Sequence, residues 1–158
     1  MPVLLAFALG MCTGLRSLVV PTVLAWAAQF ALPDLRQTPF SFLAAPVTAY
    51  VLTALACAEL VGDKLPFTPS RLTLAPFTTR VVMGAVCGSA LFATAHQSIT
   101  IGGLAAGVGA GVGAYLGYHA RRLLVTKGKV PDFLVALAED AVAIGGAIYL
   151  VTRFIGHS

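Results

Sequence analysis

Long apolar runs, separated by short clusters of proline, glycine and charged residues, set the pattern of this 158-residue chain. Five apolar segments stand out, at about 3–30, 45–65, 79–95, 99–124 and 131–151. A helix needs about 20 apolar residues to cross the hydrocarbon of a bilayer. The pattern therefore predicts an all-α fold, a polytopic membrane helix bundle of about five transmembrane helices, in which residues 1–158 form a single membrane domain.

Interruptions distinguish the first segment from the other four. It is longer than one span requires, and it contains Gly10, Gly14, Arg16 and Pro21. Proline removes a backbone hydrogen bond from a helix, and a charged residue is costly in hydrocarbon. We expect the first span to be kinked or broken.

Composition supports the assignment to a membrane. Hydrophobic residues make up 58% of the chain and charged residues 10%, and the mean hydropathy is +0.91. Soluble proteins have about 25% charged residues. The lipid bilayer is thus the first expected partner, and a homo-oligomer or a larger membrane complex is the second, because so small a bundle has little interior. The formal charge of +4 does not indicate nucleic acid, since lysine and arginine lie mostly in two loops.

The distribution of these basic residues predicts an orientation. With five spans, one side carries Lys64, Arg71, Arg80, Arg121, Arg122, Lys127 and Lys129, and the other carries Arg36 and Arg153. Cytoplasmic loops carry the excess of lysine and arginine. We expect a protein of the bacterial cytoplasmic (inner) membrane with its N-terminus in the cytoplasm and its C-terminus outside.

Glycines recur at a spacing of four residues in three of the predicted spans. The candidate packing positions are Gly10, Gly14, Gly84, Gly88, Gly109, Gly113 and Gly117. Small residues at this spacing let helix backbones approach closely in a membrane. Helix packing is the favoured interpretation, and a non-helical stretch that lines a polar cavity is the alternative for the fourth span.

Charged residues inside the apolar segments are the candidate functional residues. Glu59 and Asp63 share one helix face because they are four residues apart, and Lys64 follows them. The candidate substrate or ion path comprises Arg16, Glu59, Asp63, Lys64, His119, Glu139 and Asp140. Two interpretations stay open: an internal set of ion pairs that fixes helix packing, or a polar path that binds a proton, a cation or an anionic group.

Glu139 and Asp140 are neighbours and diverge by about 100° on a helix, so only one of them can face a given partner directly. Glu139 is the stronger candidate of the two, because an internal similarity links it to Glu59. Residues 51–59, VLTALACAE, resemble residues 131–139, PDFLVALAE. The positions Gly10, Gly14 and Arg16 likewise match Gly113, Gly117 and His119. If spans 1 and 2 correspond to spans 4 and 5, the two units form an inverted repeat, a plan that recurs among transporters.

Catalytic and metal chemistry find no support in the sequence. The chain contains no E-x-x-H or H-x-x-x-H spacing and no nucleophile, P-loop or dinucleotide motif. Cys12, Cys57 and Cys87 lie in apolar segments and fit packing positions. We expect no enzyme activity, no catalytic residues, no metal site and no cofactor.

Two motifs resemble a known family. Residues 10–17, GMCTGLRS, and residues 59–66, ELVGDKLP, resemble a bacterial family of small membrane proteins, the domain of unknown function number four-one-two-six. The resemblance covers most of the chain. Its motifs map onto Gly10, Gly14, Arg16, Glu59, Asp63, Lys64 and Pro66, and more weakly onto Gly113, Gly117, His119, Glu139 and Asp140. The family brings no established activity, so the resemblance implies a multi-span bacterial membrane protein.

Two functions from different classes remain. The first is a small transporter or channel-like protein for an ion, a small solute or a lipid headgroup, with a buried charged site. The alternative is a non-catalytic structural or assembly subunit of a membrane complex. A transporter needs a solvated path to the charged residues, whereas a subunit should close every charge in internal pairs and present a flat glycine surface, especially on the fourth span.

Overall fold

The computed structural model describes residues 1–30, 34–62 and 74–156, and these parts of the chain are all-helical, without a strand. The helices are α1 (Pro2–Leu15), α2 (Val19–Gln29), a 3-10 helix (Ser41–Ala44), α3 (Pro46–Gly62), α4 (Leu74–Thr94), α5 (Ile99–Thr126) and α6 (Asp132–Ile155). Three of them, α4, α5 and α6, are long and apolar enough to cross a membrane, whereas α1, α2 and α3 are shorter apolar helices.

The predicted segments correspond to these helices with shifted ends. The segment 45–65 contains α3, and the segment 99–124 lies within α5. In contrast, α4 begins at Leu74, ahead of the predicted start at residue 79, and α6 continues to Ile155, past the predicted end at residue 151. The early start of α4 places Arg80 in the second turn of the helix instead of at its first residues.

The first segment, expected as one kinked or broken span over 3–30, is two separate helices. Helix α1 ends at Leu15, and Arg16 is extended, with φ −139° and ψ 111°. Helix α2 then begins at Val19, so Pro21 lies in its first turn, where a missing N–H removes no helical hydrogen bond. Gly10 and Gly14 stay helical, so the break is at Arg16 and not at the glycines.

Helix directions follow from the contacts of the glycines. A Cβ added to Gly10 would collide with the carbonyl oxygen of Ala106, and one added to Gly14 would collide with that of Ala110. Both helices advance by one turn between these contacts, so α1 and α5 are parallel and their backbones touch. Gly84 lies against Ala110, and Gly88, one turn later, lies against Gly102, so α4 is antiparallel to α5.

Helix α2 turns back along the bundle. Its start contacts Glu59 near the end of α3, while Trp26 Nε1 donates to Thr53 Oγ1 at 2.9 Å. Residues 34–39, which follow α2, share a pocket with the α4–α5 turn around His96. Thus α1 and α2 form a hairpin that enters and leaves at the same end of the bundle. We call this the His96 end, and the opposite end, with Arg121, Arg122 and Lys127, the basic end.

This reversal corrects two predictions. Helix α1 is antiparallel to α6, because Arg16 contacts Asp140 and Cys12 contacts Gly146. The N-terminus of α1 and the C-terminus of α6 therefore lie at the same end of the bundle, whereas five crossing spans would place them at opposite ends. An inverted repeat would also require α1 and α5 to run in opposite directions, and they do not. Of the two helix pairs that the internal similarity matches, α1 with α5 and α3 with α6, only α3 and α6 run in opposite directions.

A hydrophobic core fills the His96 end. Leu24 of α2, Leu35, Leu43 and Phe92 of α4 are at most 2% exposed and belong to one cluster with Phe154 of α6. The rings of Phe92 and Phe154 lie 5.7 Å apart. Charged groups are buried deeper along the bundle, toward the basic end.

Candidate site at the helix break

The break between α1 and α2 buries an arginine. Arg16 is 0% exposed, and its Nε donates to Oδ1 of Asp140 on α6 at 2.7 Å. The extended conformation of Arg16 ends α1 and places its side chain in the bundle interior. A buried charge normally has an opposite charge beside it, because isolated burial costs several kcal/mol, as a rough figure. The Arg16–Asp140 ion pair thus fixes the break against α6.

Glu59 of α3 occupies the start of α2. Its Oε1 accepts hydrogen bonds from the backbone N–H of Ser17 at 2.8 Å and from Ser17 Oγ at 2.6 Å. Its Oε2 accepts from the N–H of Leu18 at 2.9 Å. The first N–H groups of a helix have no acceptor within the helix and carry partial positive charge. A carboxylate from another helix therefore fills an anion-binding position at the break.

Arg80 of α4 is a site residue that the sequence reasoning did not identify. It is 3% exposed, its Nη2 lies 3.9 Å from Glu59 Oε1, and its Nη1 donates to the carbonyl of Pro76 at 3.2 Å. The apolar pattern predicts a helix that begins only at residue 79, so Arg80 is counted there with the basic residues of the preceding loop. The apolar stretch around it, LAPFTTRVVM, was the available signal.

Four charged side chains therefore converge at the break. Arg16 at the break, Arg80 of α4 and Asp140 of α6 are buried, and the side chain of Glu59 of α3 is 11% exposed. Two are positive and two negative, so the formal charge of this set is zero. We call these four residues the break cluster.

The other candidate acids and His119 lie elsewhere. Glu139 faces Arg121, with 3.8 Å between Oε2 and Nη1, whereas the neighbouring Asp140 pairs with Arg16. His119 packs between Tyr115 and Tyr118, with ring centroids at 4.3 and 5.3 Å. Asp63 and Lys64 lie outside the described residues, as does Pro66.

A second arginine–aspartate pair lies near the basic end. Arg121 donates from Nε to Asp132 Oδ1 at 2.7 Å and from Nη2 to Oδ2 at 2.6 Å. Asp132 is the first residue of α6, so this bidentate pair ties the start of α6 to the last turns of α5. Its side chains are partly exposed, in contrast to the break cluster.

The candidate packing glycines lie mainly between helices of this chain. Gly10 and Gly14 of α1 face α5, whereas Gly109 and Gly113 of α5 face the backbone of Phe7 and Met11. Gly84 and Gly88 of α4 face Ala106 and its neighbours, and Gly117 is buried in α5. A methyl group at any of the six contact positions would collide with backbone or side-chain atoms. The glycine surface of α5 is thus largely covered within the chain.

Three pockets are lined entirely by described residues. One is polar and lies at the His96 end, one lies beside Arg121 and Tyr118, and one is an apolar groove beside Met11 and Leu116. None of these three is lined by Arg16, Glu59, Arg80 or Asp140. In the three described ranges, no group of three or more His, Cys, Asp or Glu side chains is placed to hold a metal ion.

Comparison with known proteins gives one family. A family model described as "Domain of unknown function (DUF4126)" matches residues 3–153, nearly the whole chain. Neither a curated protein nor a solved structure matches the chain. Evidence on function therefore comes from the geometry of the break cluster.

Proposed function

The chain belongs to the domain of unknown function 4126 family, and we propose that its helix break is the substrate site of a small membrane transport protein. The observation that supports this most directly is the Glu59 carboxylate, which accepts three hydrogen bonds at the start of α2. Helix N-termini are general anion sites, and interrupted helices whose N-termini point at a substrate are typical of secondary transporters.

The proposed substrate is a small anion that takes the place of the Glu59 carboxylate. Ionised Glu59 satisfies the donors of Ser17 and Leu18 in the observed state. A proton on Glu59 removes its charge and weakens these charge-assisted hydrogen bonds. An entering anion would then accept the same hydrogen bonds beside Arg80. The formal charge of the site is unchanged by this exchange, so anion and proton would move together.

The role we assign to Arg16 and Asp140 is to position the site. Their ion pair ties the break to α6, so the donors of Ser17 and Leu18 stay aligned when Glu59 moves away. In the proposed cycle, ionised Glu59 occupies the anion position and closes the site until a proton releases it.

The proposed topology has four crossing helices, α3 to α6, and one hairpin, α1–α2, that enters and returns from the same side. The basic residues Arg121, Arg122, Lys127 and Lys129 lie at the opposite end from Arg36 and Arg153. The positive-inside rule then puts the basic end in the cytoplasm and both termini outside a bacterial inner membrane. An inverted relation is retained only between the pairs α2–α3 and α5–α6, because α2 is antiparallel to α5 and α3 is antiparallel to α6.

Anion efflux from vesicles tests this function. Purified protein is reconstituted into vesicles loaded with chloride or phosphate, and efflux is recorded with the same inside and outside pH, at acidic and at neutral values. We expect faster efflux at acidic pH. The variant Glu59→Gln should lose this pH dependence, because its amide carries no charge at either pH.

The matched control is Asp132→Asn, which removes a carboxylate charge outside the break and should keep the wild-type pH dependence. Two results would refute the proposal. One is efflux of both anions no faster than from protein-free vesicles, with folded protein shown to be present. The other is a Glu59→Gln protein that keeps the wild-type pH dependence.

A structural or assembly subunit remains the second candidate. The observation that favours it is the closed pairing of Arg16 with Asp140 and of Arg121 with Asp132. The glycine surface of α5 expected for such a role is largely buried against α1 and α4. A partner or a second copy would therefore have to dock on larger apolar residues. Val47, Tyr50 and Val51 of α3 are such residues, each at least 50% exposed. Stable copurification of a defined complex without anion efflux would favour this candidate.

A further inference from the structure

A polar pocket at the His96 end is separate from the helix break. Its volume is about 440 Å³, within the range of about 300–1,000 Å³ that is usual for small-molecule sites. It lies between residues 34–39 and the turn that joins α4 to α5. Its polar lining residues are Asp34, Gln37, Thr38, Thr94, His96 and Gln97.

Two buried residues of the hydrophobic core are next in sequence to residues that line this pocket. Leu35 follows the lining residue Asp34 and is 0% exposed, and Phe92 precedes the lining residue Ala93 and is 2% exposed. Both belong to the core cluster. Glu59 and Arg16 do not line this pocket, whereas the apolar residues Ala93 and Ile99 do.

Some of the polar groups already serve the local fold. Thr38 Oγ1 donates to the carbonyl of Leu35 at 2.8 Å, and Thr94 Oγ1 donates to that of Leu91 at 2.7 Å. Asp34 Oδ1 accepts from the backbone N–H of Arg36 at 3.2 Å. In the described parts of the chain, the second carboxylate oxygen of Asp34 remains available to a ligand, as do the His96 ring and the amides of Gln37 and Gln97.

His96 occupies a position that usually belongs to glycine. Its φ is 53°, and the N–H groups of Gln97 and His96 bond to the carbonyls of Phe92 and Ala93, the pattern of a Schellman motif at a helix end. Glycine favours this left-handed conformation, whereas other residues are disfavoured there. Lys129, with φ 52° after α5, shares the conformation but lines none of the three pockets described above. The difference between the two positions is that His96 faces a pocket.

We propose that this pocket binds a small hydroxylated primary ammonium compound. Asp34 supplies the one carboxylate among the lining residues and attracts the ammonium group. The carbonyl oxygens of Gln37 and Gln97 accept further N–H donors, and a neutral imidazole can both donate to and accept from a hydroxyl group. A few polar groups beside apolar lining residues such as Ala93 and Ile99 are typical of sites for small ligands. The site is independent of anion transport at the break.

Isothermal titration of the full-length protein with ethanolamine tests the proposal, and acetate and glycerol serve as anionic and neutral probes. Saturable binding of ethanolamine, without comparable binding of acetate or glycerol, is expected. Asp34→Asn should weaken ethanolamine binding by about tenfold or more, which corresponds to about 1.4 kcal/mol. His96→Gly should also weaken it, while thermal stability rises because glycine accepts the positive φ.

Lys129→Gly is the matched control for backbone strain. It should raise thermal stability in the same way and leave ethanolamine binding unchanged. A loss of binding in a stabilised His96→Gly protein therefore cannot come from unfolding. The proposal is overturned if the wild-type protein does not bind ethanolamine, if acetate or glycerol binds equally well, or if Asp34→Asn binds ethanolamine as the wild type does. None of these results depends on anion efflux.

Discussion

Two arginine–aspartate pairs in this protein share one contact distance and differ in their surroundings. The Nε–Oδ1 distance is 2.7 Å both in Arg16–Asp140 and in Arg121–Asp132. The side chains of the first pair are 0% and 10% exposed, and those of the second are 20% and 57% exposed. Water stabilises each member of the exposed pair when its partner is lost, but not the members of the buried pair. Contact geometry alone therefore does not measure what an ion pair contributes.

The largest expected effect is that of removing one charge from the buried pair. Asp140→Asn removes the carboxylate that pairs with the buried charge of Arg16. The free energy of unfolding should fall by about 3–5 kcal/mol, as for other broken buried pairs. Chemical denaturation in detergent, followed by circular dichroism, measures this change.

A double variant separates charge burial from packing. Replacement of both partners, Arg16→Met with Asp140→Leu, removes the buried charges together and should be close to neutral or stabilising relative to the wild type. Its stability should therefore recover while anion efflux does not, since the break is no longer fixed by the ion pair. A double variant as unstable as Asp140→Asn would show that the loss comes from packing and not from the uncompensated charge.

An intermediate effect is expected at Glu59, which is bonded mainly to neutral donors. Glu59→Gln keeps the shape of the side chain but converts charge-assisted hydrogen bonds to neutral ones and places an NH₂ group near donors. A hydrogen bond to a charged group contributes about 1.5–3 kcal/mol. We expect a loss of that size for the set, measured by the same denaturation, and it should be smaller than that of Asp140→Asn.

The smallest effect is expected for the exposed pair. Asp132→Asn should lower the free energy of unfolding by about 0.2–1 kcal/mol, the usual range for exposed ion pairs. High salt should reduce this difference further, because salt screens exposed charges. A loss as large as that of Asp140→Asn, unaffected by salt, would contradict the distinction between the two pairs.

The sequence predicted the helical fold and the residue types of the site better than the path of the chain. Arg16 and Glu59 stood out because charges are rare in apolar segments, and both belong to the break cluster. The reversal at Arg16 was not predicted, because a long apolar run with glycines and a proline looks alike whether it continues or turns back. The contacts that decide this, between Glu59 and the N–H groups of Ser17 and Leu18, are 41 and 42 positions apart in the chain.

Asp140 and Arg80 show a second limit. The sequence indicated that only one of Glu139 and Asp140 could face a given partner, but the rotation of α6 about its axis depends on packing against α1. The depth of Arg80 depended on where α4 begins, and helix boundaries are poorly fixed by composition. Both questions were settled by contacts between helices that are distant in sequence.

The most direct test of the account is the solvent accessibility of residue 17 as a function of pH. Ser17→Cys is made in a background in which Cys12, Cys57 and Cys87 are replaced by alanine, and a membrane-impermeant thiol reagent is added to either side of oriented vesicles. The account predicts faster labelling at acidic than at neutral pH, because a proton on Glu59 weakens its hydrogen bonds to Ser17 and lets it move away. The added substitution Glu59→Gln should make labelling fast at every pH. Folded protein that resists labelling from both sides at every pH, with or without Glu59→Gln, would show that the break is a sealed structural joint.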